Sequence, residues 1–128
     1  MGEVITLSLD DGARAVVLEE TSGVRWFACV FVDARNGESL PLGAENREYL
    51  LSRLRTVLDE SEDVVGTIDG RPVRWILSLA EQHVSIYVNA DGAPGRTLFV
   101  QDSRGEVLRK AELHPADIRI WRASLQSL

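Results

Sequence analysis

Cys29 is the only cysteine in the chain, and therefore the only residue that could act as a thiol nucleophile. A catalytic cysteine needs a lowered thiol pKa, which a helix N-terminus or a nearby cation provides, and it needs access to substrate. Cys29 lies instead in the apolar run Trp26-Phe27-Ala28-Cys29-Val30-Phe31, which disfavours the thiolate. We therefore expect a buried structural cysteine. A single cysteine also excludes an internal disulfide, so no oxidising compartment is implied.

The two histidines, His83 and His114, are too few for a zinc site built from three imidazoles. His114 and Asp117 are three residues apart, a spacing that either brings both to one metal ion or is produced by an ordinary helix N-terminus. His83 could act as a base beside Glu81 or Ser85, yet no orienting group or oxyanion hole is identifiable. We retain His83, His114 and Asp117 as weak polar candidates, and we predict no catalytic residue, metal or cofactor.

Acidic residues are dense in only one segment, Asp59-Glu60-Ser61-Glu62-Asp63. The segment is suited either to a cation or basic partner, or to a solvated turn that ends a helix. It lacks the spacing of an EF-hand loop, and we favour the solvated turn. The segment Gly92-Ala93-Pro94-Gly95 has neither the lysine nor the following helix of a phosphate-binding loop, and no Gly-x-Ser-x-Gly motif is present.

The elements that would position these residues are mostly strands. Turn signals such as Asp69-Gly70 and Asp91-Gly92 separate runs that are rich in β-forming residues and short enough to pair as an antiparallel meander. The predicted strands are Glu3–Leu9, Ala13–Glu20, Val24–Asp33, Val64–Asp69, Pro72–Leu79, Val84–Asn89, Arg96–Asp102 and Glu106–Leu113. The strand Val24–Asp33 is apolar on both faces and should therefore be central in its sheet.

Two segments favour helix. Between Ala44 and Glu60, leucines and valines recur at a spacing of three and four residues, with Glu45 and Glu48 in the first turns. Residues 115–126 follow a helix-start pattern at His114-Pro115, with Trp121 as an anchor. Only Ile120 departs from the helical spacing. A strand remains the alternative, because Ile118 and Ile120 would alternate correctly in it, although Trp121 would then fall on the opposite face.

A register argument selects one candidate contact surface. Val73, Trp75, Leu77 and Leu79 meet Val84, Ile86 and Val88 on one side only if Leu79 lies opposite Val84. The opposite face would then carry Arg74, Ile76 and Tyr87. Tyrosine and arginine are enriched in protein-binding hot spots, so we consider these three residues candidates for partner binding. A solvated sheet surface, or a face covered by a helix, is the ordinary alternative.

The fold class that follows is α+β, with a curved antiparallel meander, one inserted amphipathic helix and a C-terminal helix. The length of 128 residues fits a single domain, 1–128. The net charge of −6 disfavours nucleic acid as a partner, and no apolar stretch is long enough to span a membrane. No secretory signal is recognisable, and 13 of the 14 basic residues are arginine. We expect an acidic cytoplasmic protein from a bacterium with a GC-rich genome.

The order of elements and the acidic charge resemble those of small bacterial partner-binding proteins, such as toxin-immunity proteins and secretion chaperones, although no motif identifies a family. We expect a non-catalytic protein-interaction module that binds a protein partner or a second copy of itself. The alternative is a small-ligand-binding domain or a hydrolase without a recognisable signature. It would use a pocket between sheet and helix, and a histidine and a carboxylate meeting in that pocket would favour it.

Overall fold

The computed structural model of the chain describes residues 3–8, 14–20, 26–32, 39–60, 63–79 and 83–127, and side chains within 48–60, 63–78 and 83–127. This part is α+β, as predicted, and all strand pairing in it is antiparallel. The strands form two sheets, whereas the sequence predicted a single sheet. The first contains β1 Glu3–Ser8, β2 Arg14–Glu20, β3 Trp26–Val32 and β4 Ser39–Asn46. The second contains β5 Val64–Ile68, β6 Arg71–Leu79, β7 Val84–Asn89, β8 Arg96–Asp102 and β9 Val107–Leu113.

The strand β4 was not predicted, and it covers the segment where the first helix was expected to begin. Pro41 and Gly43 lie inside it, and both residues are unusual in strand interiors. Pairing with the long apolar strand β3 outweighs these local preferences. The strand β3 lies between β2 and β4, so its predicted internal position is confirmed. Cys29 belongs to β3, and its predicted burial concerns a side chain outside the described residues.

Helix α1 spans Arg47–Arg55 and is followed by turns through Leu58, so it is shorter than the predicted segment. Its apolar spacing is confirmed, because Leu50, Leu51, Leu54 and Val57 are all at most 3% exposed. Glu48 lies in the first turn, whereas Glu45 belongs to β4. A leucine buried to this extent contributes about 1.5–3 kcal/mol to folding, so this face fixes α1 to the protein.

Helix α2 spans Pro115–Gln126, which confirms the helical alternative for the C-terminal segment. Trp121 is 1% exposed, and its indole N–H donates to the Leu54 carbonyl of α1 at 3.3 Å. Ile120, the residue that departs from the helical spacing, is 44% exposed. Trp121 therefore joins α2 to α1, a contact that the sequence did not predict. It also belongs to the main core with residues of the second sheet, to which the sequence predicted that it would anchor the helix.

The second sheet has apolar clusters on both of its faces. On the inner face, residues of β6 to β9 pack with α1 and α2 in the main core. On the outer face, Ile68, Val73 and Phe99 form a smaller cluster with half-buried Tyr87 and Val107. The two helices also contact the first sheet, α1 at β3 and β4 and α2 at β1. Neither helix is long and apolar enough to cross a membrane, within the part of the chain that is described.

Candidate functional site

Arg74, Ile76 and Tyr87, which were predicted to share one face of the sheet, do not lie on the same face. Leu79 lies opposite Val84, as predicted, but the pairing of β6 with β7 shifts by one residue between Trp75 and Leu77. Beyond this bulge the inward and outward positions of β6 exchange, because side chains alternate strictly along a strand. The three candidate residues are consequently divided between core and outer face.

Each of the three has a distinct position. Arg74 pairs with Val88 on the inner face and is 1% exposed, and Ile76, in the bulge, is also 1% exposed. Tyr87 is half-buried on the outer face and lies opposite Trp75 in the register. Trp75 is half-buried and packs against the main core, on the side where the sequence predicted it. Of the three, only Tyr87 keeps a side chain that a partner could reach.

Arginines hold this bulge in place. Arg53 of α1 donates from Nε to the Ile76 carbonyl at 2.5 Å and from one terminal nitrogen to the Trp75 carbonyl at 3.0 Å. Its guanidinium lies 4.4 Å from the centre of the Trp75 ring. Arg74 donates to the Thr56 carbonyl at 3.0 Å, just beyond α1. The docking of α1 therefore satisfies carbonyls that the interrupted β6 ladder leaves free.

The weak polar candidates do not form a common site. His83 is exposed in the turn before β7, whereas His114 is exposed at the start of α2, at the opposite end of the sheet. Asp117 is 1% exposed, and its carboxylate accepts the backbone N–H of His114 at 2.7 Å. This hydrogen bond caps the first turn of α2. The spacing of His114 and Asp117 is therefore that of a helix N-terminus, which was the second of the two alternatives predicted from the sequence.

A cleft of about 400 Å³ lies where the C-terminal ends of α1 and α2 meet. It is lined by Arg55, Leu58, Asp59, Arg122, Leu125 and Gln126. No histidine lines it, and the carboxylate and histidine expected of a hydrolase do not meet there. Arg55 lies in the last turn of α1, where the exposed carbonyls stabilise a cation, so the helix end itself accounts for this arginine. Among the described residues no group of three metal-ligating side chains is close enough to hold a metal.

The described part of the acidic segment is tied to the fold at Glu60. The Glu60 carboxylate pairs with Arg96 of β8, which also donates to the Val57 carbonyl at 3.3 Å and to the Ala93 carbonyl at 2.8 Å. This arginine fixes the turn after α1 to the loop between β7 and β8. Asp63, in contrast, is exposed at the start of β5.

The end of the sheet beside the β5–β6 turn is held by a polar network. Arg71 donates to the two Asp91 oxygens at 2.6 and 3.3 Å and to the Thr97 hydroxyl at 3.0 Å. The hydrogen bond from Arg71, followed by one from Asn89, holds the pKa of Asp91 well below its usual range. Lys110 of β9 pairs with Asp69 of the β5–β6 turn at 2.6 Å, so the sheet curls enough to bring these distant elements together.

Strand β5 is the least covered element of this sheet. It pairs only with β6, so it is an edge strand among the described residues. Val64 is 54% exposed and Val65 is 58% exposed, and the following Gly66 and Thr67 are also exposed. The strand contains no charged residue and no proline, which are the usual features that prevent an edge from pairing with another chain.

The hydrogen-bonding pattern shows which backbone groups of β5 face outward. Asp69 and Gly70 have φ of 53° and 76°, as in the two-residue turns that join hairpins, so Ile68 and Arg71 form the closing hydrogen-bonded pair. Thr67 and Pro72 are the next pair, in which backbone groups point away from each other. The Pro72 carbonyl indeed accepts the Ala90 N–H at 2.8 Å, on the β7 side. The N–H and C=O of Thr67 therefore point away from the sheet.

Gly66 adjoins the bulge of β5, where the register with β6 shifts between Val64 and Gly66. Its φ is not in the left-handed region, and a Cβ built at this position would meet no atom of the described residues within 4 Å. Glycine in a strand interior often marks a bulge, as it does here, or a site that another backbone approaches closely.

The edge was not identified from the sequence, although one signal was available. The run Val64-Val65-Gly66-Thr67-Ile68 is an uncharged segment bracketed by Asp63 and Asp69. The strand itself was predicted, but its position at a sheet edge depends on how distant strands assemble.

No protein-family profile, curated protein or solved structure matches this chain.

Proposed function

We propose that this chain is a non-catalytic protein-interaction module that binds an extended segment of another protein by strand addition to β5. The observation that carries the proposal is the outward N–H and C=O of Thr67 on an uncharged, exposed edge strand. In strand addition the main-chain hydrogen bonds give affinity, and alternate side chains give specificity.

The surroundings of β5 support this function. Val64 and Val65 provide apolar area on a strand that has no neighbour on one side among the described residues. The Arg71–Asp91 and Lys110–Asp69 pairs fix the turn at its end. A strand held rigidly in an extended conformation loses little entropy when a partner pairs with it.

Thr67→Pro tests the proposal by removing the outward N–H. Proline is tolerated on an edge strand where its nitrogen faces solvent, so β5–β6 pairing should survive. Thr67→Val is the matched control, because it keeps the N–H and a β-branched side chain. Thermal unfolding of both variants checks that they fold.

The binding measurement uses peptides selected against the wild-type protein from an unbiased random display library. We expect selected peptides to bind Thr67→Val as they bind wild type, and to lose at least about tenfold in affinity for Thr67→Pro, about 1.4 kcal/mol. Selected peptides that bind all three proteins equally would contradict the proposal, as would a library that gives no variant-sensitive binder.

A modification on the peptide gives a second test that leaves the protein unchanged. N-methylation of residues along one edge of a bound strand removes the N–H groups that pair with β5, whereas N-methylation along the other edge leaves them intact. We expect one edge-methylated series to lose binding and the other to keep it. Equal tolerance of both series excludes strand addition.

A further inference from the structure

We infer that the segment recognised by β5 is apolar and carries a basic residue at the end that lies beside Asp63; this inference rests on the proposed function. Two acidic residues bracket the strand, Asp63 before it and Asp69 in the turn after it. Asp69 already pairs with Lys110 at 2.6 Å. Asp63 has no ion-pair partner among the described residues, so it is the carboxylate available to pair with a cation of the bound segment.

The net negative charge of the whole chain also favours a basic segment as the binding partner. Its net charge of −6 attracts a basic segment over longer distances and opposes an acidic one. Between strands, a pair of opposite charges is favourable, whereas like charges directly opposite each other are destabilising. The centre of the segment must match the exposed side chains of Val64 and Val65, which favours apolar residues there.

A second copy of this chain is a poorer occupant. Two antiparallel β5 strands would run in opposite directions, so the beginning of each would lie beside the end of the other. Asp63 of one copy would then approach the Asp69–Lys110 pair of the second, where the lysine is already engaged, and each copy would bring a net charge of −6. The repulsion between the two net charges would weaken the association.

Two synthetic peptides with one apolar, alternating centre and either lysine or glutamate at both ends test the inference. We expect the lysine peptide to bind wild-type protein more tightly than the glutamate peptide, and the difference to shrink as salt is raised. Each exposed charge pair should account for about a two- to fivefold change in affinity.

Asp63→Asn should reduce the affinity of the lysine peptide by a similar factor while leaving the glutamate peptide unchanged or slightly improved. Glu106→Gln is the control, because Glu106 is an exposed carboxylate in the turn between β8 and β9, outside β5 and the turn that follows it. It should change neither affinity.

The outcomes separate this inference from the proposed function. Equal binding of both peptides, or tighter binding of the glutamate peptide, overturns the charge inference while strand addition stands if Thr67→Pro still abolishes binding. A dimer in sedimentation that Thr67→Pro dissociates also overturns it, because the occupant is then a second copy. Peptide binding that Thr67→Pro leaves unchanged removes the proposed function itself.

Discussion

The two edge strands of the second sheet, β5 and β9, differ in the features that control pairing with other chains. β9 carries Arg109, Lys110 and Glu112, so charged side chains occur along most of its length. β5 has no charge between Val64 and Ile68, and its two valines are more than half exposed. Both strands contain a register irregularity, so a bulge does not distinguish them.

Within the described residues, the difference indicates that charged side chains protect the β9 edge of the sheet and that β5 carries no such protection. Charged residues on an edge strand oppose its pairing with another chain, which is how natural sheets avoid aggregation. A protein selected only for solubility would be expected to protect both edges. The asymmetry between β9 and β5 is therefore the structural basis of the proposed strand addition.

The largest expected effect is a change in the core beneath both edges. Leu54 is 3% exposed, and Leu54→Ala should lower the free energy of unfolding by about 2–5 kcal/mol, because it leaves a cavity where α1 packs. Denaturant unfolding measures this loss. A change below about 0.5 kcal/mol would show that α1 does not pack against the second sheet as described. The core that supports both edge strands would then be misassigned.

A charged residue placed in β5, like those in β9, should prevent another strand from pairing with this edge. Val65 is 58% exposed, so Val65→Lys should change stability by less than about 0.5 kcal/mol. It should weaken binding of a selected peptide by at least about 1 kcal/mol, since the lysine opposes an incoming strand. Fluorescence anisotropy measures the affinity, with Leu108→Lys on the other edge as the control. Equal losses of peptide affinity in Val65→Lys and Leu108→Lys would contradict the proposed difference between β5 and β9.

The polar network beside the β5–β6 turn predicts a pH dependence. Because Arg71 lowers the pKa of Asp91, the ionised carboxylate adds stability above the unfolded-state pKa near 3.8, and this stability is lost as pH falls through the lower folded pKa. Asp91→Asn should therefore cost less than about 1 kcal/mol near pH 7, given the partial exposure of the pair. Unfolding at several pH values should show the wild type and variant converging in acid. A difference in the free energy of unfolding that stays constant with pH would contradict a stabilising role of the ionised Asp91 carboxylate.

Much of the second sheet follows from local sequence signals, because its turns are short and its strands alternate regularly. Asp69-Gly70 predicted a tight turn, and the strand Val84–Asn89 was predicted with its observed ends. The buried face of α1 and the helical C-terminal segment were also recognisable from their spacing.

The position of Arg74 was not recognisable, because Val73, Trp75, Leu77 and Leu79 alternate without interruption in the sequence. The bulge at Ile76 reverses that alternation, and it depends on Arg53 of α1, which binds the Trp75 and Ile76 carbonyls. The open edge of β5 likewise depends on the division of the strands into two sheets, which no local pattern encodes.

The smallest expected effect on stability is at Gly66. Since no atom of the described residues lies within 4 Å of an added Cβ, Gly66→Ala should leave the free energy of unfolding within about 0.5 kcal/mol of wild type. The methyl group should nevertheless weaken peptide binding if another backbone approaches there. Paired unfolding and binding measurements check both parts. Marked destabilisation of the free protein would assign the glycine to the fold rather than to the edge.

Amide hydrogen exchange at β5, resolved residue by residue by NMR, tests the open edge most directly. In the free protein, the outward N–H of Thr67 should exchange much faster than the N–H groups of Gly66 and Ile68, which are paired with β6. Saturation with a selected peptide should slow exchange at Thr67 and leave its neighbours nearly unchanged. Protection of Thr67 equal to that of its neighbours in the free protein, or no slowing on saturation, would contradict strand addition at this edge.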